Sequence, residues 1–471
     1  MKFKKVCACV LAASMVMSLA ACGSAAEETA PAAETTAAAA EDTADEAAAE
    51  TPAAETTAAA DESGYPDYSG VTIRFAWWGS QPRHDATIKV IEQYEALTGL
   101  NIEYEYYDFS GYFTQLDTLV AADDVWDVFQ MGNNWATYYD AIEPLNEYID
   151  GGAIDTSNIN APLMQVTQDY DGNQMGISLG TNCRCIAYNP ALFEEAGVPE
   201  PTDNWTWDDF ANACLQIHEK TGAYGMDKLE YFTLLGSYCT QMGEGYNFFS
   251  MDGSDFSFND DTSAIAQMFD TFAELEAAGA VADPGVQAEI VDEQADYICT
   301  GESAMLLIPS NKFVALNEAV QDGIELKLAL LPRLYADGQS GMLVRSSQML
   351  CMSAASEQKE AAASFMDYMI NSTEANEILN GERGVPINTT VREDLASKSD
   401  EITAEVYEFI DKVSSIEDTA NTTNAEPDAQ TELSQVLQQY FEAMFAGDYA
   451  SGQECADAFY EEAKTIFASY Q

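Results

Sequence analysis

The sequence predicts an α/β fold, and three observations carry that expectation. Strand-type runs and helical periodicities alternate from residue 71 to residue 131. Such alternation calls for right-handed crossovers, which place successive strands in a parallel sheet. The chain has 471 residues, 47% hydrophobic and 11% aromatic, enough for roughly two to three domains with real cores.

The first segment stands outside that fold. Residues 1–22 read MKFKKVCACVLAASMVMSLAAC: three lysines, an apolar run from Val6 to Ala21, then a cysteine. This is the pattern of an export signal, and its apolar run is shorter than the roughly 20 residues of a membrane span. Leu19-Ala20-Ala21-Cys22-Gly23 resembles the lipobox of bacterial lipoproteins. That resemblance implies a signal peptide over 1–21 and an acylated Cys22 as the mature N-terminus. Residues 24–64 contain only Ala, Glu, Thr, Asp, Pro, Ser and Gly, with no base. They cannot bury enough apolar surface to offset ordering entropy, so 22–64 is expected to be an acidic disordered tether.

The elements then follow in order. Val71 to Ala76 reads as a strand and Trp77 to Asp85 as a loop carrying Gly79 and Pro82. A helix is expected from Ala86, with Ile88, Ile91, Tyr94 and Leu97 at three-residue steps and Gly99 as its stop. Asn101 to Tyr107 alternates Ile102, Tyr104 and Tyr106 on one face, a helix runs through Phe113, Leu116 and Leu119, and Asp127 to Met131 is a third strand. In an open parallel sheet ligands sit beyond the carboxyl ends of the strands. The loops after Ala76 and Met131 are therefore the places to seek binding chemistry. They hold Trp78, Arg83 and His84, and Asn133, Asn134 and Trp135. Aromatic faces beside amides and a guanidinium suit a sugar, which offers C–H patches for stacking and paired hydroxyls for hydrogen bonds. Of the neighbours Trp77 and Trp78, Trp78 is expected to be the exposed one. Farther on, Thr206 with Asp209 three residues later forms a capping-box start, around which Trp205 and Trp207 should pack.

Charge excludes whole classes. The chain carries 80 Asp+Glu against 19 Lys+Arg, a formal charge of -61, so nucleic acid is not a partner. The seven cysteines after Cys22 are odd in number and irregular in spacing, which does not describe a disulfide framework. They read as small buried apolar residues, with room for one adventitious disulfide. No constellation at metal-ligand spacing is present, and neither a metal nor another cofactor is expected.

Tyr188-Asn189-Pro190, then Leu192-Phe193-Glu194-Glu195-Ala196-Gly197-Val198-Pro199 and Trp207-Asp208-Asp209-Phe210, resemble the signature of family 1 extracellular solute-binding proteins, the maltose-binding-protein-like components of ABC sugar importers. Asp127-Val128, Gly301-Glu302-Ser303-Ala304-Met305 and Arg383-Gly384-Val385-Pro386 agree with it. The resemblance implies a two-lobed, periplasmic-binding-protein-like type II fold with hinge crossovers near 176–183 and 330–345 and an interlobe cleft. Lobe 1 would comprise 65–180 and 341–395, and lobe 2 would comprise 181–340 and 396–471. It implies a monomer, lipid-anchored on the extracytoplasmic face of a bacterial membrane, that closes on an oligosaccharide and delivers it to permease subunits. Carried over residue by residue, it points to Trp78, Arg83 and His84 in the first loop and Asn133, Asn134 and Trp135 in the second, and adds Tyr231 as a stacking aromatic and Asn311 and Lys312 where the family often carries a tryptophan. Arg184 lies beside the hinge, and with Arg83 and Lys312 it concentrates scarce cations at the cleft, which favours an acidic or highly polar sugar.

An enzyme is the contrasting class. The chain has no Gly-x-Ser-x-Gly, His-Glu-x-x-His or P-loop, and it has two histidines in all. Among 80 acids a glycosidase-like carboxylate pair arises by chance, so such a pair is uninformative. A non-sugar solute such as a peptide is the other alternative.

Overall fold

The computed structural model describes residues 65–169, 171–242, 248–250, 254–258, 260–282, 284–287, 296–416, 420–421 and 427–470. The signal, Cys22 and the tether lie outside them. The strands are β1 (Thr72–Trp78), β2 (Asn101–Tyr107), β3 (Val128–Met131), β4 (Ile142–Glu143), β5 (Ile177–Tyr188), β6 (Tyr224–Met226), β7 (Ser303–Pro309), β8 (Lys327–Ala329), β9 (Leu343–Ser353) and β10 (Ala420–Asn421). Their path is β2-β1-β3-β9-β5-β7-β6, with β4 and β10 on β9 and β8 on β5. The first three strands pair in parallel as expected, but β9 is antiparallel to β3, β4 and β5, and β5 is antiparallel to β7 and β8. The sheet is mixed because these two long strands cross from one half of the molecule to the other. β5 pairs with β9 from Ile177 to Cys183 and with β7 from Arg184 to Tyr188.

Two boundaries differ from the sequence reading. β1 runs on through Trp77 and Trp78, and the following helix, Gln81–Thr98, starts five residues before Ala86. Ser80 is an extended N-cap and Pro82 lies in the first turn, where its missing N–H costs nothing. The helix ends at Gly99, whose φ of +71° suits a residue without a Cβ. Arg83 and His84 are thus first-turn residues of a helix.

Trp205 and Trp207 are buried against Phe210 at the next expected helix, Trp207–Thr221. The Thr206 hydroxyl accepts the Asp209 N–H, and the Asp209 carboxylate accepts the Thr206 N–H, closing the capping box. The C-terminal helices Gln430–Phe445 and Gly452–Ser469 pack on the helix Ser263–Ala277, with Phe441 against Phe269 at 4.8 Å. All seven cysteines among the described residues are buried free thiols, so the adventitious disulfide does not form. Cys183 and Cys185 lie on one buried face of β5.

Candidate functional site

Register decides where a ligand can sit. β1, β2 and β3 are parallel, so Trp78, Tyr107 and Met131 end at one edge. Met131 lies opposite Met349 of β9, and the preceding residues Val344 to Gln348 pair with β5 just before it changes partners. In the other half Arg184 lies opposite Pro309, the carboxyl end of β7, and β6 runs parallel to β7 with Met226 opposite Met305. The carboxyl ends of the parallel strands in both halves therefore converge on the crossing strands, the arrangement that makes a ligand crevice.

Two cavities open there. One, of about 520 Å³, is lined by Arg184 and Arg345 of the crossing strands, Glu230 and Tyr231 after β6, and Gln430 and Gln435 of a C-terminal helix. The other, of about 420 Å³, joins Asn182 and Ser310-Asn311 to Asn380, Gly381 and Gly384. Gly384 must be small, because a Cβ there would lie 2.9 Å from Ser347 Oγ, and its φ of +96° disfavours any side chain. The next residue, Val385, exchanges both backbone hydrogen bonds with Thr181 of β5. A larger cavity, about 690 Å³, is lined by His218, Tyr224, Tyr297 and three glutamates. It lies at the amino ends of β6 and β7, the wrong end of the strands for the crevice, so size alone does not locate the site. Among the described residues no group of three or more His, Cys, Asp or Glu is placed to hold a metal ion.

The charges in the crevice are largely compensated. Arg184 Nη1 meets Glu230 Oε2 at 2.8 Å, which offsets the cation expected to seek an acidic ligand. Arg83 donates from Nη2 to the Glu382 carbonyl (2.7 Å) and from Nη1 to the Trp78 carbonyl (3.4 Å), so it clamps the chain before Gly384 to the end of β1. Buried Arg383 extends this clamp, donating to Gln130 Oε1 (3.1 Å) and Thr87 Oγ1 (2.8 Å). Burial, then the charge of Arg83, pulls the Arg383 guanidinium down to about 9. The Tyr231 hydroxyl is pushed up to about 12 by burial and then by the Glu442 charge, so it stays neutral. Its ring is backed by Phe441 at 4.5 Å and borders the larger of the two crevice cavities.

A family model of bacterial extracellular solute-binding proteins matches residues 89–406, well over half of the chain. The chain belongs to that family. It is 22% identical over 321 residues to the diacetylchitobiose binding protein DasA of Streptomyces coelicolor, covering 65% of this chain and 70% of that one. Among solved structures it resembles a family 1 extracellular solute-binding protein from Alicyclobacillus acidocaldarius, with a TM-score of 0.74, 21% identity and coverage of 85% and 99%. A periplasmic oligogalacturonide binding protein from Yersinia enterocolitica gives a TM-score of 0.72, 21% identity and coverage of 85% and 100%. These likenesses agree with the α/β, two-lobed fold.

In this solute-binding protein the expected site residues divide sharply. Arg184 and Tyr231 share one crevice cavity, Asn311 lines the other, and Lys312 is exposed beside it. Asn134 is exposed and Asn133 half-buried at the end of β3, where Gly132 lies between Asn134 Oδ1 and the Trp78 ring. Three expectations are corrected. Trp78 is only 8% exposed, because Phe109, Tyr112 and Phe113 surround its ring. Trp135 is 6% exposed and packs in the same aromatic cluster at the start of a 3₁₀ turn. His84 is buried, accepts the Trp77 indole N–H at Nδ1 (3.1 Å), and stacks on Tyr106 at 4.2 Å. Desolvation, then Arg383 and Arg83, lowers its basicity, which favours the neutral imidazole. The sequence reading missed Glu230 and Arg345, although each adjoins a segment it had singled out. Nor did it single out Phe109, which follows β2 as the two inspected loops follow β1 and β3.

Proposed function

We propose that the protein is the substrate-capturing component of an ABC importer, closing its lobes on an oligosaccharide and presenting it to permease subunits. The observation that carries this reading is the crevice itself, where the carboxyl ends of parallel strands from both halves meet at the crossing strands. Its lining pairs a backed tyrosine ring with amides, a hydroxyl and a neutralised arginine, the complement of a ring with C–H faces and many hydroxyls. Thr181 Oγ1, Asn182 Oδ1 and Gln348 Oε1 on the crossing strands are buried without hydrogen-bond partners, a costly state that a rearrangement on closure would relieve. The relatives named for diacetylchitobiose and oligogalacturonide binding support a carbohydrate. The lobes would be 65–180 with 341–395, and 181–340 with 396–471, the first hinge lying where β5 changes partners. Thermal-shift screening across neutral and uronate oligosaccharides tests this, since a ligand bound only by the folded state raises the melting temperature. A shift confirmed by calorimetry, without turnover of the sugar, is expected. No response to any saccharide class, or a response to peptides alone, would overturn it.

We infer further that Cys22 carries a lipid and that 22–64 tethers the folded part to the outer face of the membrane. The short apolar run ending at Ala21-Cys22 supports this.

A further inference from the structure

We propose that Phe109 is the sugar-stacking platform on the lobe-1 side of the crevice, an assignment that rests on the carbohydrate reading above. Among the described residues six large apolar side chains are strongly exposed, and five of them are tyrosines with a hydroxyl to hydrate. Phe109 has no polar atom, yet it is 60% exposed. A lone exposed apolar residue is ordinary on a protein surface, so the assignment rests on place and rigidity.

Phe109 is two residues past the end of β2, the outermost strand, beside the end of β1 and at the same carboxyl end of the parallel strands as Trp78 and Met131. Its backbone is fixed as the first residue of the helix Phe109–Ala122, where the Asp108 carboxylate caps the turn by accepting the Gly111 N–H at 2.8 Å. Its ring makes T-shaped contacts with Trp78 (centroids 5.6 Å apart, planes at 88°) and with Phe113 (5.0 Å, 63°). Both contacts are T-shaped, and they hold the ring while the residue stays 60% exposed. Trp78 was the expected platform, but it is the buried support, and the exposed aromatic surface belongs to Phe109.

Polar groups lie close by. Trp78 borders Gly132, where an added Cβ would be 3.8 Å from the indole, and Asn134 Oδ1 lies on the other side of that glycine. An exposed aromatic ring with an exposed amide beyond Trp78 and Gly132 matches a pyranose, whose C–H face stacks while its hydroxyls bond. Tyr231 occupies the corresponding place after β6 in the other half, so closure would hold the sugar between an aromatic ring from each lobe.

The test compares wild type with Phe109→Ala, Phe109→Leu and Phe109→Tyr by calorimetry on the saccharide found by screening, with the ligand-free melting temperature of each variant recorded. Phe109→Ala is expected to weaken binding roughly three- to tenfold or more. Phe109→Leu keeps an apolar contact with Trp78 but has no ring face, and should lose affinity similarly, whereas Phe109→Tyr should retain it. Ligand binding should also shift Trp78 emission through the adjacent ring, and the shift should vanish in Phe109→Leu. Wild-type binding with unchanged affinity in Phe109→Leu would overturn the platform while leaving the carbohydrate reading intact. A wild type that binds no saccharide would overturn that reading, and the platform with it.

Discussion

Asp227 shows what burial does to a single residue in this protein. It lies just past β6, fully enclosed, with its carboxylate accepting the N–H groups of Lys228 (2.6 Å) and Ile298 (3.2 Å). Burial first, then the Asp296 charge, pushes its carboxyl from the ordinary 3.8 up to about 7, while Lys228 partly offsets the shift. The native state therefore holds a proton that the unfolded chain has released between about pH 4 and pH 7. Stability from this group is present below that window and is lost as pH rises through it. Asp227→Asn should flatten the dependence, being less stable than wild type relative to its own pH 8 value only where wild type gains, near pH 5. Urea midpoints measured from pH 4.5 to pH 8 check this, and parallel curves for the two proteins would refute it. Single residues were the hardest level to read in advance. Trp77 and Trp78 are indistinguishable in sequence, and their burial depends on Tyr104, Tyr106, Phe109 and Tyr112, brought alongside by other elements.

Elements were legible wherever their signals are local. The helix Trp207–Thr221 carries its own start in Thr206 and Asp209 and its own stop in Gly222, and the chain obeys both. Thr206→Ala removes the side-chain half of the capping box at an exposed position and should cost about 1 kcal/mol. Because this helix start lies away from the crevice, saccharide affinity should stay unchanged. Chemical denaturation and calorimetry on the same variant separate the two effects, and a loss of affinity without a loss of stability would contradict the account. The helix Gln81–Thr98 was placed late because its first turn, Gln81-Pro82-Arg83-His84, has no apolar periodicity. Pro82 is a turn signal and a first-turn helix signal alike, and the packing of His84 between Trp77 and Tyr106 selects the helix.

At the scale of the whole molecule, the halves are joined where β5, β9 and the segment at Val385 run side by side. Gly180 makes that crossing possible, since a Cβ there would press on the Arg383 carbonyl and lie 2.8 Å from the Gly384 carbon. The same molecule is expected to be held at a membrane. Cys22→Ala should move it from the membrane fraction into the medium or leave an uncleaved precursor. Mass spectrometry of a mature N-terminus without a lipid on Cys22 would refute the anchor but not export.

By itself the sequence determined the alternation of the first three strands, the family signature around Tyr188–Phe210 and the capping box, because each rests on local periodicity or adjacent side chains. It also pointed to the carboxyl ends of the strands as the place for a ligand. Only the tertiary structure decided which side chains reach that place. Exposure and charge compensation depend on partners distant in the chain, as when Glu230 neutralises Arg184 and Tyr106 covers His84. The direction of the crossing strands was decided in the same way, since antiparallel β9 acquires its orientation from partners as far apart as Val128 and Ile177.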